Sequence, residues 1–215
     1  MALPDPASAA GRADWARIVR AVLPYVDLFE PSIEEILYML RRRQYDALRG
    51  DNPEGLLRQV TPDLLSDVGE ELLSMGARIV GLKLGDRGLY LRTGSQSVIE
   101  GVGRARPSDV AAWADREIWT PCFVVDVVGT TGAGDSTIAG FLAALLRDLP
   151  PLEAVTAAVA VGACNVEAAD TLSGIRSWDE TMARVAAGWP RRLLRVDAPG
   201  WRFDLTSSIW YRRLP

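Results

Sequence analysis

Histidine is absent from this 215-residue chain, and lysine occurs only once, at position 83. The absence of histidine excludes histidine-based general catalysis, Ser-His-Asp triads and histidine-ligated metal sites. The other 23 of the 24 basic residues are arginine, which we interpret as codon bias rather than as a functional feature. Any acid–base chemistry must therefore come from other residue types.

Cysteine and long apolar runs are scarce as well. The two cysteines, Cys122 and Cys164, lie far apart and match no metal-ligand spacing, so a reducing, cytoplasmic setting is the simplest interpretation. No apolar run reaches the length of a membrane span, since even 141–146 is soon followed by charged residues. Residues 1–15 lack the basic start and apolar stretch of a signal peptide, so we expect no membrane association.

The overall composition is that of an ordinary globular protein. Apolar residues make up 48% and charged residues 24%, and the formal net charge of −4 argues against a dedicated nucleic-acid binder. We expect a single α/β domain over 1–215, with a C-terminal extension over 188–215 that interleaves arginines with aromatic residues. That pattern fits either nucleic-acid contact or a hairpin whose aromatic residues pack on the domain, and the acidic net charge favours the hairpin.

Helical periodicity alternates along the chain with short apolar stretches. Spacing and capping residues predict helices over 14–23, 31–40, 62–75, 133–146, 152–168 and 178–186. Apolar stretches predict strands over 26–29, 78–84, 89–92 and 122–125. Residues 46–52 read as a polar loop, and 94–119 show little pattern. Alternating helices and buried strands indicate an α/β fold with a mostly parallel sheet.

The strongest chemical signal is the stretch VVDVVGTTGAGDSTIAGFLAALL, in which an apolar strand runs through a glycine-rich turn into a helix. Gly132 and Gly134 allow unusual backbone angles and the close approach of a ligand. The helix N-terminus directs free N–H groups and a partial positive charge into the turn, which suits an anion. Asp135 lies on the first turn of that helix.

The spacing of this turn nearly matches a Walker A loop, but the charge at one position is reversed. Gly129, Gly134 and Ser136 match the pattern, whereas Asp135 occupies the position of the lysine that a Walker loop needs against the phosphates. We therefore reject a P-loop nucleoside triphosphatase. Asp135 is interpreted either as a general base beside a phosphoryl group or as a residue that only caps the helix.

The string TTGAGD followed by AGF resembles the signature of the ribokinase-like (PfkB) carbohydrate kinases. The resemblance implies a Rossmann-like doubly wound sheet of the ribokinase-like type and the use of ATP and Mg²⁺. It also implies that Gly132, Ala133 and Gly134 form an anion hole, that Asp135 is the catalytic base, and that Thr131 lies at the nucleotide. One position departs from the family pattern, because Gly129 stands where family members carry an aspartate, although Asp126 lies nearby.

Three further positions follow the order of motifs in this family. Glu35, in the segment PSIEE, resembles the glutamate of the N-x-x-E motif and would hold Mg²⁺ through water, but Ser32 replaces the asparagine. Ser32 and Glu35 also fit a helix capping box. Gly85, in KLGDRG, resembles the glycine against the nucleotide, although a plain hairpin turn is the alternative. Asn165 either lines the adenine pocket or is an ordinary polar residue on a helix.

Several features of the family have no counterpart in the chain. We find no initial strand with a Gly-Gly motif, no sugar-contacting residues and no small β-sheet lid, so the chain resembles a family member without its N-terminal portion. An exposed sheet edge would then favour a homo-oligomer.

The leading hypothesis is ATP-dependent phosphoryl transfer to a sugar hydroxyl. The alternatives are a nucleoside kinase of the same family, a catalytically inactive nucleotide-binding or regulatory module, and a half-enzyme that depends on a partner.

Overall fold

The computed structural model describes residues 4–5, 7–50 and 55–213. Within that part of the chain the helices are α1 (Trp15–Val22), α2 (Ile33–Leu40), α3 (Arg42–Arg49), α4 (Gly55–Gln59), α5 (Pro62–Ser74), α6 (Gln96–Glu100), α7 (Val110–Trp113), α8 (Ala133–Leu145), α9 (Pro151–Asn165) and α10 (Trp178–Ala186). The strands are β1 (Leu28–Phe29), β2 (Ile79–Lys83), β3 (Leu89–Thr93), β4 (Arg116–Thr120), β5 (Arg202–Asp204) and β6 (Ile209–Arg213).

These strands form one open sheet in the order β1-β2-β3-β4-β6-β5. Only β1 and β2 are parallel; the remaining neighbours are antiparallel. The prediction of a mostly parallel sheet is therefore wrong. For β2 and β3 the reason is the connection, because the single turn of 3₁₀ helix Gly85–Arg87 is far too short for a crossover between parallel strands.

Helices cover both faces of this sheet. On one face Val80, Leu82 and Tyr90 pack in a buried cluster with α1, α2, α3 and α5. On the other face Leu89 and Leu91 pack with α8 and α9. This alternation along the strands, with helices on each side, confirms the predicted α/β class.

Two predicted helix starts are observed with the expected caps. The Asp14 side chain accepts from Arg17 N–H at 3.1 Å, and α1 begins at the next residue. At the start of α2, Ser32 and Glu35 form a complete capping box. These starts depend on contacts three residues apart, which explains why they can be predicted from the sequence.

Two segments that were predicted to lack regular structure contain helices or a strand. Residues 46–49 belong to helix α3 rather than to a loop, and 51–52 lie outside the described residues. The patternless stretch 94–119 holds α6, α7 and most of β4. Strand β4 was missed because Glu117 interrupts its apolar pattern: the side chain is fully buried and accepts a hydrogen bond from Tyr90 Oη at 2.8 Å.

The segment predicted as a strand over 122–125 does not join the sheet. It makes a single β-bridge, between Phe123 and Arg191, and the N–H of Arg192 donates to Cys122 O at 2.8 Å. The segment therefore pairs with the start of the C-terminal extension. That extension then forms the hairpin β5–β6, and β6 pairs with β4. Its aromatic residues Trp201 and Trp210 pack on the sheet, as expected for the hairpin interpretation.

No helix within the described residues is long and apolar enough to cross a membrane.

Candidate functional site

The glycine-rich turn leads into α8 through a residue in the left-handed region. Gly132 has φ 80° and ψ −3° and is the N-cap of α8. A Cβ at this position would lie 3.0 Å from Thr171 Cβ, on the loop that follows α9. Both the backbone angle and the close approach of that loop therefore require glycine here.

The start of α8 leaves backbone donors free. No side chain caps this helix. The N–H of Ala133 donates to Thr130 O at 3.2 Å, whereas the N–H groups of Gly134 and Asp135 have no acceptor among the described residues. Unpaired N–H groups at a helix N-terminus form a site for an anion such as a phosphate.

Asp135 lies on the first turn of this helix and is exposed to solvent. Its carboxylate makes no capping hydrogen bond, so the alternative interpretation, in which it serves only as a cap, is not what the structure shows. The carboxylate is therefore free to act on a ligand placed at the N-terminus of α8.

A cavity of about 310 Å³ opens beside these donors. It is formed by the glycine-rich turn, the 3₁₀ turn after β2, the segment after β4, and helix α9. Its lining comprises Lys83, Gly85, Asp86, Gly88, Cys122, Phe123, Val125, Val127, Thr130, Ala133, Gly134, Thr137, Val159, Gly162, Ala163, Val166 and Arg192. A mainly apolar cavity of this size with a few polar groups at one end is typical of a small-molecule site.

The structure brings together some of the predicted site residues. Gly85, Ala133 and Gly134 line this cavity. Gly85 has φ 56°, a conformation that favours glycine, and its carbonyl accepts a weak contact from Cys122 Sγ at 3.4 Å. Gly132 and Asp135 flank these residues on α8 but do not line the cavity itself. Asp135 thus directly follows a lining residue in the chain, but it is not itself part of the lining.

Thr131 and Asn165 are not among the lining residues. Thr131 is exposed, and its neighbour Thr130 lines the cavity instead. Asn165 is fully buried, and its Nδ2 donates to Thr171 O at 2.8 Å. Because Thr171 packs against Gly132, Asn165 holds the loop that supports the glycine-rich turn. Contact of Thr131 and Asn165 with a nucleotide stays a prediction.

Glu35 was predicted to hold Mg²⁺ through water. Its Oε2 accepts from Ser32 N–H at 2.8 Å, so this oxygen serves the capping box. Glu35 also lines a second cavity, of about 500 Å³, together with Ile138 and Leu142 of α8. The described residues contain no group of three or more acidic, cysteine or histidine side chains that could hold a metal. An Mg²⁺ ion held largely by phosphate oxygens and water would need few protein ligands, so this lining is compatible with it. The contact of Glu35 with Mg²⁺ stays a prediction.

Two groups in the cavity were not predicted as site residues. Lys83 is the last residue of β2 and lines the cavity. It directly precedes the turn that contains Gly85, and this proximity in the sequence could have identified it as a candidate. Cys122 carries a thiol whose pKa burial raises to about 11, which keeps it protonated at neutral pH. Lys83 therefore brings a positive charge to the cavity, whereas Cys122 brings none.

The sequence of the chain was also compared with those of known proteins. Residues 4–178 match the family model described as "pfkB family carbohydrate kinase". The chain is 30% identical over 135 residues to a 2-dehydro-3-deoxygluconokinase of Bacillus subtilis (strain 168). The aligned region covers 62% of this chain and 35% of that protein.

Solved structures with the same fold include two kinases. A putative sugar kinase from Clostridium perfringens has a TM-score of 0.58 and 18% identity, covering 89% of this chain and 49% of that one. A putative ribokinase II from E. coli, in complex with ATP and Mg²⁺, has a TM-score of 0.55 and 19% identity, covering 80% and 43%. The predicted ribokinase-like fold is thus confirmed, and the chain spans half or less of the length of these three relatives.

Proposed function

Because the chain belongs to the pfkB family of carbohydrate kinases, we propose that it transfers the γ-phosphoryl group of ATP to a hydroxyl of a sugar. The observation that carries this proposal is the start of α8. There, an uncapped helix N-terminus, free N–H groups and the exposed carboxylate of Asp135 lie next to a cavity of suitable size.

In the proposed reaction, Asp135 accepts the proton of the acceptor hydroxyl as its oxygen attacks the γ-phosphorus. The bond between the γ-phosphorus and the β–γ bridging oxygen breaks, and ADP leaves with that oxygen. In this proposal the free N–H groups of Gly134 and Asp135 stabilise the charge that develops on the transferred group. Magnesium carried by the phosphates would neutralise further charge there.

The acceptor that we would test first is 2-dehydro-3-deoxygluconate, since the curated relative is named for that sugar acid. Common hexoses, pentoses and nucleosides form the rest of the panel. One observation favours a second candidate, nucleotide binding without sugar transfer. Asp135 is exposed in the described structure, and an unenclosed base admits water and does not orient an acceptor.

The deciding experiment measures ADP release from Mg-ATP with and without each acceptor. Asp135→Asn is compared with Asp63→Asn, a matched control because Asp63 also lies in the first turn of a helix, α5, outside both cavities. We expect acceptor-dependent ADP release that Asp135→Asn abolishes and Asp63→Asn leaves intact. Nucleotide binding without acceptor-dependent turnover would favour the second candidate, and equal turnover in both variants would refute the role of Asp135.

We further propose that the chain self-associates through the outer edge of β1. Among the described residues β1 pairs only with β2. Leu28 and Phe29 line the cavity of about 500 Å³ beside it, together with apolar residues of α8. An open strand edge next to apolar surface is a template for association. Sedimentation equilibrium should show dimers or larger species, and a stable monomer at micromolar concentration would contradict this proposal.

A further inference from the structure

The match to the family model ends at residue 178, but the chain continues as part of the same domain. Residues 189–192, which follow α10, lie along residues 121–124 through an isolated β-bridge and backbone hydrogen bonds. Segment 121–124 contains Cys122 and Phe123, which line the cavity of about 310 Å³. A part of the chain outside the family match is therefore in contact with the wall of this cavity.

Backbone and side-chain contacts fix the position of this wall. The N–H of Arg192 donates to Cys122 O at 2.8 Å. The indole ring of Trp189 stacks on Phe123, with 4.5 Å between the ring centroids, and its Nε1–H donates to Val124 O at 2.9 Å. Because the backbone of both segments is held in this way, the fold itself places Arg192 at the cavity.

The side chain of Arg192 lies at the boundary between two cavities. Arg192 and Asp86 both line the cavity of about 310 Å³, and both also line an adjacent cavity of about 360 Å³. Nη2 of Arg192 lies 3.4 Å from Oδ2 of Asp86, so the two side chains form an ion pair. The exposed fraction of the side chain is 49% for Arg192 and 60% for Asp86, so a ligand can contact either of them.

The charge of this ion pair indicates which part of a nucleotide it suits. Arg192 and Asp86 carry opposite charges 3.4 Å apart, so together they have no net charge and attract a polyphosphate only weakly. The free N–H groups of Gly134 and Asp135 provide the anion site beside the cavity instead. A guanidinium plane packs well against an aromatic ring, and a nucleotide base supplies such a ring. The pair therefore suits the uncharged base better than the phosphates.

We propose that the guanidinium of Arg192 packs against the base of the bound nucleotide, while Asp86 holds the guanidinium in place. The C-terminal extension over 188–215 then forms part of the nucleotide site, although it lies outside the family match. The proposal rests on the proposed function for the identity of the ligand, but it concerns binding and not phosphoryl transfer.

Equilibrium binding of adenosine, ADP and ATP to the full chain tests this role. Arg192→Met should weaken the binding of all three ligands by the same factor, about 3- to 30-fold, because they share the base. Arg202→Met is the matched control, since Arg202 is an exposed arginine on β5 of the same extension and lines neither cavity. Unchanged affinity for adenosine in Arg192→Met, or a loss confined to ADP and ATP, would overturn the proposal.

Two further measurements separate contact with the base from a purely structural or electrostatic role. Tripolyphosphate has no base, so Arg192→Met should bind it with the affinity of the wild type, and a weaker affinity would contradict the proposal. Arg192→Lys keeps the positive charge but has no planar group, so it should lose about as much affinity for adenosine as Arg192→Met. Wild-type affinity in the lysine variant would show that charge alone is needed and would refute packing against the base.

The outcomes separate this inference from the proposed function. If Arg192→Met weakens adenosine, ADP and ATP alike but no acceptor is phosphorylated, the transfer proposal fails and the inference stands. If transfer occurs and Arg192→Met binds all three ligands as the wild type does, the inference fails and the transfer proposal stands. If the chain binds neither adenosine nor its nucleotides, both fail.

Discussion

Two helices of this protein, α2 and α8, carry an acidic residue at the same position of their first turn, three residues after the N-cap. In α2 the acid is Glu35, whose carboxylate accepts from the N–H of the N-cap residue Ser32. In α8 the acid is Asp135, and the N-cap Gly132 has no side chain with which to form the other half of a capping box. The N-terminus of α2 is therefore closed by its own side chains. At the N-terminus of α8, two backbone N–H groups and the carboxylate of Asp135 have no such partner.

The difference arises from the identity and the backbone conformation of the N-cap residue. Ser32 is extended, with φ −72° and ψ 153°, the conformation from which a hydroxyl reaches the N–H of the third helical residue. Gly132 is in the left-handed region. An acid at the same position therefore completes a capping box at α2 and leaves an exposed carboxylate without a capping hydrogen bond at α8.

The largest expected effect comes from neutralising the free acid. Asp135→Asn should lower the rate of acceptor phosphorylation about 10²- to 10⁴-fold, the usual contribution of a general base. The free energy of unfolding should change by less than about 0.5 kcal/mol, because the carboxylate makes no capping bond. Steady-state rates and urea unfolding of the same preparations check both parts. A large loss of stability would mean that Asp135 is structural.

The next effect concerns Glu30, which lies two residues before the capped helix start. Its folded-state pKa of about 8 exceeds the ordinary value of 4.5. Between these values the folded state holds a proton that the unfolded state has released, so Glu30 lowers stability as the pH rises from about 5 to 8. Glu30→Gln should remove about 1–3 kcal/mol of this loss, allowing for solvent screening.

The comparison for Glu30 is the difference in unfolding free energy between variant and wild type at pH 5 and at pH 8. Because other groups titrate identically in both proteins, only the change in that difference reports on Glu30. A difference that stays constant with pH would show that Glu30 is ionised throughout.

Gly132→Ala should disturb the open helix start. A side chain at φ 80° costs about 1–2 kcal/mol, and the new Cβ would press on Thr171 at 3.0 Å. Both stability and nucleotide affinity should fall, since the free N–H groups move with the turn. Thermal unfolding and ATP titration measure the two losses. If the variant is destabilised but binds ATP as tightly as the wild type, the glycine-rich turn does not take part in nucleotide binding.

Ser32→Ala tests the closed helix start and should have the smallest effect, about 1 kcal/mol of stability. The hydroxyl accepts from Glu35 N–H at 3.1 Å, and alanine leaves that donor to water. Nucleotide affinity should not change, because Ser32 does not line the cavity of about 310 Å³ in which we propose that the nucleotide binds. A marked loss of Mg-ATP affinity instead would indicate that α2 takes part in metal binding, as the family resemblance implied for Glu35.

Features set by near neighbours in the chain could be predicted. The caps of α1 and α2, the start of α8 at Ala133 and the bounds of α10 follow from hydrogen bonds and periodicity within a few residues. Strand β4 could not be predicted, because a glutamate in the sequence normally indicates a surface position. In the structure Glu117 is buried and accepts hydrogen bonds from Tyr90 and Ser66, which lie on other elements.

The amino-acid sequence by itself determined the glycine-rich turn, the position of Asp135 on the following helix and the family signature, because backbone angles and helix starts depend on local residues. Only the tertiary structure decided the direction of the strands, the place of the C-terminal hairpin beside β4 and the approach of Lys83 to Gly134. Those features join residues that are far apart in the chain, and their partners are selected by packing of the whole sheet against its helices. Lys83 and Gly134, for example, meet only because β2 and α8 lie side by side.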